Sequence, residues 1–180
     1  MFNTRTLAVL VAASITQLAV AADGTINFNG ELKAETCTVA VNGAVSPAAS
    51  TVTLPTVATS ALTAAGQTAG QTAFNIELSD CSGGAATVAA FFEAGSTVDP
   101  VSGNLKNTSG SATGVQLRLV DATNGNAIKA GSSEQVTASS RHDIGASGNV
   151  NLPYAVEYFA TEATGPGTVV SSVTYSINYQ

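Results

Sequence analysis

The chain has 180 residues, 12 of them acidic and 6 basic, for a formal net charge of −6. Such a chain is repelled by phosphate backbones and anionic headgroups, which excludes nucleic acid and makes anionic lipid surfaces poor partners. Only 10% of residues are charged and 44% are hydrophobic, so this is not a disordered, charge-solvated chain; the abundance of Ala, Thr, Ser and Gly points to an exported β-protein.

Arg5 leads into the apolar run Leu7–Val20, and Ala19-Val20-Ala21 has the small-x-small pattern of a cleavage site. Residues 1–21 are read as a secretory signal peptide, with cleavage after Ala21 or Ala22. No second apolar run of membrane-spanning length follows, so no membrane insertion is expected. Roughly 158 residues remain, room for one domain with its own core.

The mature chain opens on "DGTINFNGEL". Ile26, Phe28, Gly30 and Leu32 share one phase, and Thr25, Asn27, Asn29 and Glu31 the other. That is the period of a strand with one buried face, at a place where chains usually fray. "ETCTVAV" (Glu35–Val41) is a second strand, ending at the turn dipeptide Asn42-Gly43. "STVTLP" (Ser50–Pro55) is a short third run, and the Ala/Thr/Gly-rich stretch beyond it holds at most one helical turn, around Ser60–Ala65. "TAFNIELSDC" (Thr72–Cys81) alternates Phe74, Ile76 and Leu78 with Asn75, Glu77 and Ser79. "ATVAAFFEA" (Ala86–Ala94) is apolar throughout, as a central strand is.

Val115, Leu117 and Leu119 form one face of the next strand, which turns at Asn124-Gly125 into a hairpin partner at Ala127–Lys129. Two further strands, around Tyr154–Ala160 and Val169–Tyr179, are joined through Gly165-Pro166-Gly167. Short, closely spaced strands without a linker predict a single all-β sandwich. Cys37 and Cys81, in a chain bound for an oxidising compartment, are expected to form one disulfide; closing that loop removes on the order of 4 kcal/mol of unfolded-state entropy.

The last strand poses a problem. Val173, Tyr175, Ile177 and Tyr179 form an apolar face, and an immunoglobulin-type sandwich needs one more strand beside it, for which no residues follow. An uncovered apolar edge is an aggregation hazard. A surplus strand at one end and a missing strand at the other suggest exchange between copies.

On these residues, the sequence resembles the major pilin subunits of chaperone–usher, type 1-like fimbriae. The resemblance rests on "INFNGEL" before Cys37, "AFNIELSDCSG" around Cys81, "VQLRLVDATNG", and "PYAVEYFATEATGPG" with "SVTYSINYQ", in that order along nearly the whole mature chain. It implies an incomplete immunoglobulin-like sandwich lacking its C-terminal strand and completed by a donor strand from a neighbouring subunit. Residues 22–34 become the N-terminal donor extension and 35–180 the pilin domain. The donor residues are Ile26, Phe28, Gly30 and Leu32, with Gly30 set against a shallow part of the groove. The acceptor groove and chaperone contact are Val173, Tyr175, Ile177 and Tyr179. The implied partners are other copies of the chain in a head-to-tail polymer, a periplasmic pilus chaperone and an outer-membrane usher. The implied destination is the extracellular fimbrium of a Gram-negative bacterium. A minor or adaptor subunit shares all these motifs. A two-domain tip adhesin would carry a lectin domain in place of the extension.

No catalytic, metal or cofactor site is read. His142, between Arg141 and Asp143, is taken as a solvated loop residue: neighbours in sequence do not orient one another as a triad requires, and no G-x-S-x-G elbow is present. "NTS" at Asn107–Ser109 is treated as a chance match to a glycosylation sequon.

Overall fold

The computed structural model describes residues 36–47 and 49–180. The expected signal peptide and the segment carrying Ile26, Phe28, Gly30 and Leu32 lie outside the described residues.

Among the described residues, ten strands form two sheets. In chain order they are β1 (Thr36–Val41), β2 (Ala44–Val45), β3 (Thr68–Ser82), β4 (Thr87–Phe92), β5 (Leu105–Lys106), β6 (Val115–Asp121), β7 (Ala127–Ile128), β8 (His142–Asp143), β9 (Val150–Ala160) and β10 (Tyr175–Tyr179). The large sheet has the order β2-β1-β3-β9-β6-β5, with β7 also on β6; the small sheet is β10-β4-β8.

Period-2 patterning places the core. Along β3, Phe74, Ile76 and Leu78 turn inward and are buried. Along β9, Leu152, Tyr154 and Val156 do the same, and along β6, Val115, Leu117 and Leu119. From the small sheet, Val88, Ala90 and Phe92 meet them. Phe74, Phe92 and Tyr154 stack edge-on or tilted, with ring centroids 5.1–6.5 Å apart. On the opposite face of the large sheet, Arg118 pairs with Glu157 across β6 and β9 at 2.6 Å and lies over the Phe159 ring.

Pro153 sits inside β9, between β3 and β6, without breaking a ladder. Its carbonyl accepts from Ala122, just beyond the last residue of β6 that pairs with β9. Its nitrogen points to the same side, past the end of β6, where no bond is lost.

The strand at Glu35–Val41 is found as β1, from Thr36, and Asn42-Gly43 turns it into β2. Ser50–Pro55 is not a strand. Val52 and Leu54 are half-buried against the core, but their backbones join no ladder. Alternation there marks burial rather than pairing. The helical turn is a 3-10 turn at Thr59–Ala61, followed by the buried Leu62. "ATVAAFFEA" does form the centre of a sheet, as β4. The last strand is shorter than its pattern: only Tyr175–Tyr179 pairs with β4.

His142 is not a loop residue. It pairs with Val88 in β8, and its Nε2 lies 3.2 Å from Thr123 Oγ1. Among the described residues no three His, Cys, Asp or Glu side chains converge, and no helix is long and apolar enough to cross a membrane.

Candidate functional site

The candidate site is the edge of β10 that faces away from β4. Thr87 and Gln180 exchange both backbone hydrogen bonds, and Glu93 N–H donates to Thr174 O at 2.8 Å. In an antiparallel ladder such pairs alternate with pairs that face outward. Tyr175 and Ile177 therefore direct their N–H and C=O groups to the far edge, where no strand among the described residues pairs with them.

The side chains follow the same alternation. Val173, Tyr175, Ile177 and Tyr179 are half-buried and pack against the core, whereas Thr174 and Ser176 are exposed. The four residues named from the sequence thus form one row, although Val173 precedes the paired part of the strand. Burial raises the Tyr175 hydroxyl pKa above its ordinary 10.0.

The row extends beyond β10. Val169 is in phase with it and packs on the core. Ser171, between Val169 and Val173, buries its hydroxyl oxygen without a hydrogen-bond partner. Loops take the place of β4 along this segment. Asn107 Oδ1 accepts from Val170 N–H at 2.8 Å, Thr108 N–H donates to Val170 O at 3.0 Å, and Thr97 Oγ1 donates to Ser172 O at 2.7 Å. Asn107 Nδ2 also donates to Ala112 O and Thr168 O. The amide of the "NTS" sequon is thus committed to holding this wall in place.

In the large sheet, β1 presents a second edge. β2 pairs only with Ala40 and Val41, so Thr36–Val39 have no strand on that side among the described residues. Cys37, Val39 and Val41 point into the same core as the β10 row. The Cys37–Cys81 disulfide ties β1 to β3.

Three side chains that sequence reasoning passed over organise the small sheet. Gln135, buried in the short helix α1 (Gln135–Ala138), accepts from Phe92 N–H and donates to Phe92 O, both at 2.9 Å. The Tyr154 hydroxyl accepts from Ala90 N–H at 2.9 Å. Arg141 reaches over β4 to Thr87 Oγ1, Thr87 O, Asn178 Oδ1 and Asn178 O, at 2.7–3.1 Å. Only Tyr154 left a signal: a buried tyrosine needs a partner for its hydroxyl.

The chain has known counterparts. The profile of a family described as "FimA: Type-1 fimbrial protein, A" matches residues 54–180. The chain belongs to the type-1 fimbrial subunit family. It is 45% identical over 163 residues to the major fimbrial subunit SMF-1 of Stenotrophomonas maltophilia, covering 88% of this chain and 94% of the relative. It is 39% identical over 178 residues to an F17 fimbrial protein of Escherichia coli, covering 95% of each. Among solved structures, the P pilus rod subunit PapA superposes with a TM-score of 0.56 at 19% identity, over 80% of this chain and 99% of that one. A chaperone–usher pilus structure superposes with a TM-score of 0.57 at 20% identity, over 94% and 100%. The fold of this fimbrial subunit is accordingly the incomplete immunoglobulin-like sandwich, and its family is structural rather than enzymatic.

Proposed function

We propose that this fimbrial subunit is the repeating unit of an adhesive surface pilus and polymerises by donor-strand exchange. The supporting observation is the half-buried row Val173, Tyr175, Ile177 and Tyr179 on a strand whose outer edge pairs with no strand among the described residues. The donor is the N-terminal extension, residues 22–34, of a second copy. After export past the signal peptide, a periplasmic chaperone covers the row first, and at the outer-membrane usher the next subunit's extension replaces it. The finished fibre is extracellular.

The energetics fit an extension that becomes a strand only on capture. Burying Ile26, Phe28 and Leu32 yields about 1.5–3 kcal/mol each, and each ladder bond a net of about 0.5–1.5 kcal/mol. Ordering the tail costs about 1–2 kcal/mol per residue. The extension is therefore a stable strand only in a full-length groove, a case of strand addition used head to tail.

Side-chain size favours one register. All strand pairs among the described residues are antiparallel, and an added strand continues that pattern. Of the antiparallel registers that keep the four donor residues within Val169–Tyr179, only one sets Gly30 opposite a tyrosine, whose ring fills the space a glycine leaves. It pairs Ile26 with Tyr179, Phe28 with Ile177, Gly30 with Tyr175 and Leu32 with Val173.

Deleting Ala22–Leu32 is expected to leave a subunit that binds chaperone but builds no fibre; fibres made from that variant alone would overturn the mechanism. Replacing Gly30 by leucine is expected to slow assembly, and an unchanged pilus yield would refute the shallow pocket. The name of the SMF-1 relative supports a major subunit over a minor one. The abundance of this chain in sheared fibres tests that choice.

A further inference from the structure

A cavity of about 460 Å³ lies between the loop that follows β4 and the loop that follows β7. Val98, Pro100, Val101 and Ala130 give it apolar walls, and Val101 stands at its rim 89% exposed. The hollow is built rather than slack. The Asp99 carboxylate accepts from Val101 N–H at 3.0 Å and Ser102 N–H at 2.9 Å. Ala130 N–H donates to Gly103 O, and Gly131 N–H to Phe92 O. Gly103 (φ 73°) and Gly131 (φ 78°) let the two loops meet at close range. A Cβ at Gly103 would come within 2.5 Å of Lys129 Cα, and one at Gly131 within 2.8 Å of Ala94 Cβ.

The hollow stands at the pole where the β10 row begins. Tyr175 pairs with Phe92, and Thr97 in the same loop holds Ser172. β1 begins at the other pole, where Thr36 pairs with Ser82 and Cys81 N–H donates to Gly148 O.

We infer that the hollow receives the β1 pole of a second copy of this chain, with the loop containing Ala146 and Ser147 as the element that meets Val101. The inference rests on the donor-strand reading. A donor antiparallel to β10 runs toward the hollow's pole and leaves Leu32 near Val173. Only Lys33, Ala34 and Glu35 then separate Leu32 from Thr36, and extended chain over those four steps spans at most about 14 Å. The donating molecule's β1 pole is thereby held against the accepting molecule's hollow. Ala146 and Ser147 are small and exposed, which suits entry between the two loops. The contact is heterologous and repeats along the fibre without closing.

The test uses fibres of the double variant Val101→Cys, Ser147→Cys, treated with a short bismaleimide and then heated in denaturant to break the donor-strand contacts. A ladder of covalent multimers is expected. Either single variant, or Ser147→Cys combined with Ala73→Cys on the exposed face of the large sheet, is expected to give monomers. Fibres of the double variant that assemble normally and yield only monomers would overturn the inference while leaving donor-strand exchange intact. Fibre formation by the chain lacking Ala22–Leu32 would instead overturn the reading beneath it. As a second measurement, Val101→Glu is expected to leave chaperone-bound subunit at its normal level but lower the temperature at which fibres dissociate; an unchanged temperature counts against the contact.

Discussion

The small sheet has two edges, and they are finished differently. On the side away from β10, β8 covers Val88, the Tyr154 hydroxyl takes Ala90 N–H, and the Gln135 amide satisfies both backbone groups of Phe92. On the other side, β10 carries an apolar row and a polar backbone edge with no strand beside it among the described residues. Side chains close an edge with three or four well-placed groups, at fixed positions and with no further strand. An open edge with a continuous row can be closed only by another strand. Incompleteness in this sheet is local: one edge is closed by side chains, and the other has no strand beside it among the described residues.

Opening the closed edge is expected to have the largest effect. Gln135→Ala leaves Phe92 N–H buried without an acceptor and should destabilise the subunit by about 3 kcal/mol. Urea denaturation of the subunit complemented with a peptide of residues 23–33 measures it, and a loss below 1 kcal/mol would mean that the edge tolerates exposure. Trimming the open edge comes next. Ile177→Ala should weaken capture of that peptide by about 2 kcal/mol, close to 30-fold in Kd, with a smaller effect on the subunit itself; equal effects on both would erase the distinction between the edges.

Arg141→Gln should cost about 1.5 kcal/mol and speed amide exchange in β10 more than in β3, because the guanidinium straps β10 to β4 in addition to their backbone ladder. Tyr154→Phe is the smallest change, about 1 kcal/mol at neutral pH, for the lost acceptor of Ala90 N–H. Burial raises the Tyr154 hydroxyl above its ordinary 10.0, with the Ala90 bond opposing the shift. The folded state therefore keeps this proton to higher pH than the unfolded state. Its stability is full below about pH 10 and falls as pH rises beyond that. Tyr154→Phe should flatten that alkaline loss in a denaturation series against pH, in part only, since Tyr175 is shifted in the same direction.

Legibility in the sequence divided along the same line. The open edge is built from alternation, and alternation is local: Val173, Tyr175, Ile177 and Tyr179 could be read in one stretch. So could the strand faces of Phe74, Ile76 and Leu78 and the Asn42-Gly43 turn. The closed edge depends on single side chains meeting distant backbone. Gln135 and Phe92 are 43 positions apart, and neither lies in a pattern that names the other. Ser50–Pro55 shows the converse error, in which alternation records burial of Val52 and Leu54 without any ladder. β8, which holds His142, is two residues long, too short to show a period. The role of Arg141 depends on where β10 passes, which its neighbours in sequence do not show.

The amide of Gln135 also bears on the valency of the subunit. It occupies the position a peptide bond would take on a neighbouring strand, so a strand added beside Phe92 on that side finds no free backbone group there. On the donor-strand proposal, each subunit carries one receptor for a strand and one strand to give. On that proposal, two such valences link subunits end to end without branches.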